Sequence, residues 1–229
     1  MKTENQNNSI RSAKFITIGA IAIWFVFALV MSLRGGYQAG AGRPPLPLGL
    51  TFLVPILGFV AAYWSSRSVR QFAHSLNLQF IIVTNVFRFV GFDFLYRYIQ
   101  GQLPGGFALP AGIGDVLTAA AAIPMTMAIS RKAPSARKWF IAWNIFGLAD
   151  LFVAVGSGVL HSVSSVGLLA GNGPNTYIMG SFPHALIPTF FVPLWILLHF
   201  LALARRNEVT QHEPLLSAGI QTSLSPYHP

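Results

Sequence analysis

The sequence predicts an all-α polytopic membrane protein, a bundle of six transmembrane helices with both termini on the cytoplasmic side. Of the 229 residues, 53% are hydrophobic and only 9% are charged, whereas a soluble domain carries about 25% charged residues. The apolar residues form six runs, each close to the roughly 20 residues that a helix needs to cross a bilayer. Basic residues cluster between these runs, mostly on one side.

The first two helices are predicted from runs that contain no charged residue. These runs cover residues 15–33 and 47–64. Tyr63 and Trp64 end the second run, as expected of aromatic side chains at a membrane–water interface. The third run, 78–99, is also long and apolar, but three ionisable side chains interrupt it.

The other three helices are predicted at 114–130, 139–160 and 183–204. Four consecutive alanines, 119–122, give the fourth helix a smooth face suited to close packing. Pro188 and Pro193 lie inside the sixth helix, where each removes a backbone hydrogen bond. The polar segments 1–14 and 205–229 are predicted as tails on either side of one membrane domain, 15–204.

The distribution of basic residues predicts the orientation of the helices. Eleven lysines and arginines fall on the side that holds both termini: Lys2, Arg11, Lys14, Arg67, Arg70, Arg131, Lys132, Arg137, Lys138, Arg205 and Arg206. Only Arg34 and Arg43 fall in loops on the opposite side. The richer side is therefore predicted to be cytoplasmic. Compact loops and the absence of cysteine favour the inner (plasma) membrane of a bacterium.

Composition and motifs also exclude several function classes. The net charge of +9 does not predict a nucleic-acid partner, because the basic residues lie in short clusters rather than along one face. The absence of cysteine excludes disulfides, thiolate metal sites and cysteine nucleophiles. The chain contains no metalloprotease, serine-hydrolase, P-loop or dinucleotide fingerprint. Neither an enzyme nor a cofactor is predicted, and the lipid bilayer is the expected partner.

The third and fifth predicted helices carry charges at matching depth. At 1.5 Å per residue, Arg88 and Asp150 lie roughly 15 and 16 Å from the inner boundary, near the middle of a ~30 Å core. Charges inside a membrane are costly and generally paired, so we expect an ion pair between them. Asn85 and Asn144 lie at a similar inner depth and extend this pair into a polar seam. The seam either forms part of a translocation pathway or locks helix packing.

A second group of polar residues is predicted near the outer surface. Asp93 and Arg97 are four residues apart and can pair along the third helix, although Arg97 can also extend to the lipid headgroups. Asp115 is predicted to cap the fourth helix, after a tight Gly- and Pro-rich external loop at 101–115. The alternative is an outer vestibule lined by Asp93, Arg97, Asp115, His161 and His184.

Two histidines offer a separate hypothesis. His161 ends the fifth helix and His184 begins the sixth, so both lie at the outer side and can share a metal ion or a haem. His199 lies farther along the sixth helix, near the inner side, with no histidine opposite it. Hydrogen bonding to a loop or to the interface is the simpler interpretation of all three.

Three functions are compatible with these features. The first is a small ion-linked, proton-linked or small-solute transporter that uses the Arg88–Asp150 seam, with dimerisation expected to complete its pathway. The second is a structural or accessory subunit whose polar residues serve packing and whose partner is a second copy or another membrane protein. The third is a membrane redox or metal protein that uses His161 and His184. The paired charges inside the membrane favour the first.

Overall fold

A computed structural model describes residues 2–209, with side chains described from residue 10. The regular structure of these residues is entirely helical, and six helical segments are long and apolar enough to cross a membrane, which confirms the predicted number. We call them spans one to six. They are Ile10–Leu33, Leu46–Ser65, Leu78–Ile99, Gly105–Ser130, Ala136–Leu160 and Ile187–Ala204. Of the predicted C-terminal tail, 205–229, residues 210–229 lie outside the described residues.

Three helices begin four or more residues away from their predicted starts. The first helix, α1, covers Lys2–Leu33 and therefore includes most of the predicted N-terminal tail, because a hydropathy run marks the apolar part of a helix and not its end. The fourth span begins at Gly105, nine residues before the predicted start at 114. The sixth begins at Ile187 instead of 183.

The fourth span is longer because the Gly- and Pro-rich segment predicted as an external loop is helical. Pro104 precedes the helix in an extended conformation, and proline suits such a position because it has no N–H to pair. Within lipid or protein a helix satisfies its own backbone groups, so small residues that would favour a loop in water are compatible with a helix. This helix, Gly105–Ser130, is α6, because five α-helices precede it in the chain.

The second and third spans are joined by a short helix that the sequence analysis did not predict. After α2, Leu46–Ser65, helix α3 covers Arg67–Ser75. The Ser66 hydroxyl accepts a hydrogen bond from the Val69 N–H at 3.3 Å and caps α3, as serine commonly does. Phe72 and Ala73 are buried, so α3 packs one apolar face against the bundle.

The third span changes helix type where Arg88 lies. It consists of α4, Leu78–Val83, a 3₁₀ segment, Thr84–Val90, and α5, Gly91–Ile99. A 3₁₀-helix has three residues per turn, so positions three apart eclipse. Asn85 and Arg88 therefore lie on one face, and both are buried.

The sixth span contains a π-helical turn, Ile187–Phe191, followed by α8, Val192–Ala204. Pro193 cannot donate to the carbonyl four residues earlier, that of Thr189. The indole N–H of Trp24, in α1, donates to that carbonyl at 3.0 Å. A neighbouring helix thus satisfies the backbone group that the proline leaves free.

Span four is central in the bundle. Its helix α6 packs against α7 (Ala136–Leu160), α5 and the 3₁₀ segment. α5 and α6 approach closely at Gly91, where a Cβ would lie only 2.6 Å from the Gly112 carbonyl oxygen. Two apolar clusters fill the interior, one around Ile82 and Phe140 and the other around Phe94 and Phe107. The buried ionisable residues described next lie between these two clusters along the third, fourth, fifth and sixth spans.

Candidate functional site

Arg88 is the centre of a buried polar cluster near the middle of the bundle. Its side chain has no exposed surface. The Nε–H donates to Asp115 Oδ1 at 2.7 Å, and one terminal nitrogen, Nη2, donates to Asp150 Oδ2. The other, Nη1, lies 3.2 Å from both the Gly147 carbonyl oxygen and His199 Nε2. Arg88 thus connects its own span to α6, α7 and α8, and we call Arg88, Asp115, Asp150 and His199 the charge cluster.

His199 is neutral in this arrangement. An arginine can only donate hydrogen bonds, so the Nε2 atom that faces Arg88 must accept and carries no proton. The remaining nitrogen, Nδ1, then carries the proton and donates to Asn144 Oδ1 at 2.9 Å. The Asn144 amide in turn donates to the Phe140 carbonyl at 2.8 Å. These two bonds fix both the ring orientation and its tautomer.

The charge cluster is not electrically balanced. One guanidinium faces two carboxylates, so the cluster carries one excess negative charge when both aspartates are ionised. The side chains of Asp115 and Asp150 are only 5% and 4% exposed. An unbalanced charge at such depth is costly. A proton or another cation at the cluster would remove the imbalance.

Two glycines make room for the cluster. A Cβ at position 114 would overlap the carboxylate of Asp150, and a Cβ at position 147 would lie 2.6 Å from the ring of His199. Gly114 is next to Asp115 in α6, and Gly147 contributes the carbonyl that accepts from Arg88. Both positions therefore have to be side-chain-free for α6, α7 and α8 to surround the guanidinium.

The structure brings together most of the predicted polar seam. The predicted contact between Arg88 and Asp150 is present, and Asn144 reaches Arg88 through His199. Asn85 lies one turn inward of Arg88, where its amide donates to the carbonyl of Ile81 in its own span at 3.2 Å. What the seam does stays a prediction.

Two members of the charge cluster differ from the sequence interpretation. Asp115 was predicted to cap the fourth helix, but Pro104 precedes that helix, and Asp115 is well inside α6 and pairs with Arg88. The early start of α6 moves it inward. His199 was predicted near the inner side with no histidine opposite it. It is 1% exposed and contacts Arg88. The sixth span starts later than predicted, which places His199 closer to the middle.

Three of the predicted vestibule residues form a separate outer group. Asp93 Oδ2 accepts from Arg97 Nε at 2.9 Å and lies 3.1 Å from His184 Nε2. Burial, followed by the nearby Arg97 cation, lowers the pKa of His184, while Asp93 opposes that shift. His184 is therefore predominantly neutral at pH 7. This group is distinct from the charge cluster, because Asp115 pairs with Arg88 instead.

The two histidines proposed as metal or haem ligands contact different groups. His161 Nδ1 lies 2.9 Å from the Ser157 carbonyl oxygen in its own helix, whereas His184 contacts Asp93 on α5. Within residues 2–209, no three histidine, aspartate or glutamate side chains are grouped as metal ligands. No contact in this region favours a redox or metal centre.

A cavity of about 330 Å³ extends from the outer loops to the charge cluster. Its walls come from the second, fifth and sixth spans, and Phe94 and Phe107 contribute from the third and fourth. Nearly all the lining surface is apolar, and Asp115 is among the lining residues. The cavity therefore connects the loops that contain Tyr37 and Thr176 with a carboxylate of the charge cluster.

Comparison with known proteins places this region in a family. The model of a family described as a domain of unknown function, DUF8737, matches residues 45–205, which is well over half of the chain. The chain belongs to the DUF8737 family. No curated protein and no solved structure matches the chain. The DUF8737 region holds all four residues of the charge cluster and most of the cavity lining.

Four buried polar side-chain atoms of the DUF8737 region have no protein partner among the described residues, and two of them lie close to the charge cluster. These two are Asn85 Oδ1 and Thr118 Oγ1. Asn85 lies one turn inward of Arg88, and Thr118 lies about one turn inward of Asp115 on the antiparallel α6. Because Arg88 and Asp115 are in contact, these two positions are at the same level of the bundle. Buried polar atoms normally have partners, so this level is suited to water.

At the inner end of the DUF8737 region, polar side chains join α2, α3 and the segment after α8. Tyr63 Oη lies 2.8 Å from His74 Nε2, and His74 Nδ1 lies 3.2 Å from Glu208 Oε1. The guanidinium of Arg205 donates to Glu208 and to the Leu76 carbonyl. Hydrogen bonds from Arg205 are the main reason that the pKa of Glu208 is lowered. These hydrogen bonds connect the end of α2 with α3 and with the segment that follows α8.

Proposed function

We propose that this DUF8737 protein is a proton-linked transporter of a small solute. One observation carries the proposal: Asp115 is among the residues that line the cavity, and it shares Arg88 with a second carboxylate, Asp150. A solute in the cavity is thereby next to a group that can gain or lose a proton. Ionisable residues inside membrane segments are characteristic of proton relays and transport pathways.

The excess negative charge supports proton binding at the cluster. Protonation of either aspartate leaves one carboxylate for one guanidinium, which is the balanced state. Deprotonation restores a negative charge that favours movement of a cation toward it. Arg88 holds the two carboxylates together, and neutral His199 adds no charge. The cluster therefore has two protonation states that differ in their attraction for a charged solute.

The inward side of the cluster offers a continuation of the pathway. The unpartnered Asn85 Oδ1 and Thr118 Oγ1 lie beyond Arg88 and Asp115, opposite the cavity. A water at this level has two protein hydrogen-bond partners and can pass a proton onward. The π-helical turn at Ile187–Phe191 forms part of the cavity wall, and π-helical turns frequently lie at functional sites.

We place the protein in the inner (plasma) membrane of a bacterium with both termini in the cytoplasm. The support is the eleven-to-two distribution of loop and terminal basic residues, which follows the positive-inside rule. Because the chain has no cysteine, single cysteines report orientation without background. We expect a cysteine replacing Ser135 to react with an impermeant maleimide only after cells are opened. A cysteine replacing Asn172 should react in intact cells, and the reverse pattern would refute the orientation.

Transport is tested with purified protein in liposomes that contain a trapped pH dye. We expect proton movement when a panel of cationic, zwitterionic, neutral and anionic amphiphilic solutes is added one at a time. At least one class should move protons faster than in protein-free liposomes. Asp115→Asn and Asp150→Asn should each reduce that rate by roughly tenfold or more, which corresponds to about 1.4 kcal/mol.

Glu208→Gln is the matched control, since it removes a carboxylate outside the six spans. It should retain the wild-type rate, and the thermal stability of each variant shows whether the bundle is intact. The proposal is refuted if no solute class raises the rate of proton movement above the rate in protein-free liposomes. Equal rates in wild type and in both aspartate variants would show that the charge cluster does not take part in transport.

A structural or accessory subunit is the second candidate. The observation in its favour is that every charged group of the cluster already has a hydrogen-bond partner within the chain, as in a packing device. In that case a second copy or another membrane protein would cover an exposed apolar face. Ile16 and Ile23 of α1 are 70% and 73% exposed, and lipid accounts equally well for this face.

A further inference from the structure

We propose that the cavity binds a lipophilic monocation, an organic molecule with one positive charge on an aromatic or alkyl body, beside Asp115. The binding step needs only the cavity and the carboxylate. Exchange of the bound cation for a proton rests in addition on the proposed transport function. Three features of the cavity support this class of ligand: its charge, its aromatic lining and its size.

The charge of the site favours a cation. The cluster has one excess carboxylate, and Asp115 is the member that lines the cavity. No lysine or arginine is among the residues that line it, within the part of the chain that the structure describes. Arg88 lies behind Asp115 and is fully buried. The charged residue in the cavity wall is therefore an aspartate and not an arginine, which disfavours anions.

Aromatic rings add to this preference. Five of them line the cavity: Tyr37, Phe52, Phe94, Phe107 and Tyr177. The rings of Phe94 and Phe107 are 5.4 Å apart between centroids and tilted by 49°. Aromatic faces attract organic cations, and clusters of aromatic rings are the usual recognition site for quaternary ammonium groups. A strongly hydrated inorganic ion would lose its water here without replacement ligands.

The size and polarity of the cavity define the rest of the ligand. About 330 Å³ is at the small end of the range for small-molecule sites. Nearly all of the lining is apolar, so the body of the ligand contributes through burial of apolar surface. A compact aromatic or alkyl body fits this surface, whereas a sugar or an amino acid would leave several polar groups unpaired.

Protons should compete with this cation. The titratable and charged groups around Asp115 are Arg88 from the third span, Asp150 from α7 and His199 from α8. His184, Asp93 and Arg97 form the separate outer group, and Tyr37 and Tyr177 face the cavity itself. Protonation of Asp115 or Asp150 removes the excess negative charge. Affinity for the cation should therefore fall as the pH is lowered.

Tetraethylphosphonium is the test ligand, because its compact alkyl body fits a cavity of this size, and tetraethylborate is its control, with a similar shape and the opposite charge. Binding of each is measured by equilibrium dialysis against the full-length protein in lipid nanodiscs, with empty nanodiscs subtracted. We expect saturable binding of the phosphonium only. Its affinity should fall by roughly tenfold or more when the pH is lowered enough to protonate the cluster. Phe52→Leu should weaken the affinity for the phosphonium several-fold, because it removes one aromatic ring from the cavity wall.

Asp115→Asn is the decisive variant. It leaves Arg88 paired one-to-one with Asp150, so the fold is expected to persist, and phosphonium binding should fall by roughly tenfold or more. Equal phosphonium affinity in wild type and Asp115→Asn would overturn the proposal, as would saturable binding of the borate alone or of neither ion. If Asp115→Asn does not fold, the pH dependence and Phe52→Leu decide in its place.

This experiment separates the two proposals. If phosphonium binding depends on Asp115 but no solute drives proton movement in liposomes, the cation site is supported and the transport function is refuted. Proton movement driven by a neutral or anionic solute, without phosphonium binding, would retain transport and refute the cation.

Discussion

Replacing Arg88 with methionine should destabilise the protein by about 3–5 kcal/mol, the cost of removing one partner from a buried ion pair. The substitution leaves Asp115 and Asp150 buried near each other without a cation. It also removes the donor to the Gly147 carbonyl and to His199. Equilibrium unfolding in mixed micelles with increasing sodium dodecyl sulfate, followed by tryptophan fluorescence, measures the change in the free energy of unfolding.

Arg97→Met is the matched control for this measurement. Arg97 also pairs with an aspartate in the third span, but its side chain is 21% exposed. Removal of such an exposed pair should cost about 0–1 kcal/mol. Adding Asp115→Asn and Asp150→Asn to Arg88→Met should restore much of the lost stability, because the unpaired charges are then gone. Similar small costs for Arg88→Met and Arg97→Met would show that the cluster contributes little to the fold.

The helical architecture was predictable because lipid restricts the possible structures so strongly. Each run of about 20 apolar residues has one stable form in a membrane, a helix that satisfies its own backbone. Depth along a helix follows directly from the residue count. The contact between Arg88 and Asp150 could be predicted on this basis, since both residues are near the middle of their spans.

The position of Asp115 could not be predicted in the same way. Its local sequence, Gly-Ile-Gly-Asp, is typical of a turn or a helix start in water. In the bundle, the small residues before it let α6 approach α5, as at Gly112 and Gly91, and the helix therefore continues outward past them. A composition rule derived from water-exposed loops fails where the segment packs against another helix.

The position of His199 depended on a similar boundary. A predicted helix start at residue 183 placed His199 too near the inner side. The π-helical turn at Ile187–Phe191 also changes the rise and rotation of the span. The structure also shows why Asn85 and Arg88 lie on one face. They are three residues apart in a 3₁₀ segment, which has three residues per turn. Local helix type is set by packing and is weakly encoded in an apolar sequence.

Replacing Gly147 with alanine should destabilise the protein by about 1–3 kcal/mol, the range for overpacking a filled interior. The new Cβ would lie 2.6 Å from His199 Cε1 and Nε2 and 3.2 Å from Arg88 Nη1. The His199 ring cannot move away without losing its bond to Asn144 or its contact with Arg88. The same unfolding measurement should show the loss, and solute-driven proton movement should fall with it.

Gly156 in the same helix provides the comparison that makes this prediction specific. A Cβ there would meet no atom within 4 Å. Gly156→Ala should therefore show only the ordinary effect of glycine replacement in a helix, a gain of about 0.5–1 kcal/mol. Both substitutions add one methyl group to α7 and change its helix propensity equally. The difference between them isolates the contact with the charge cluster, and equal effects would mean that α7 and α8 are not packed at Gly147 as described.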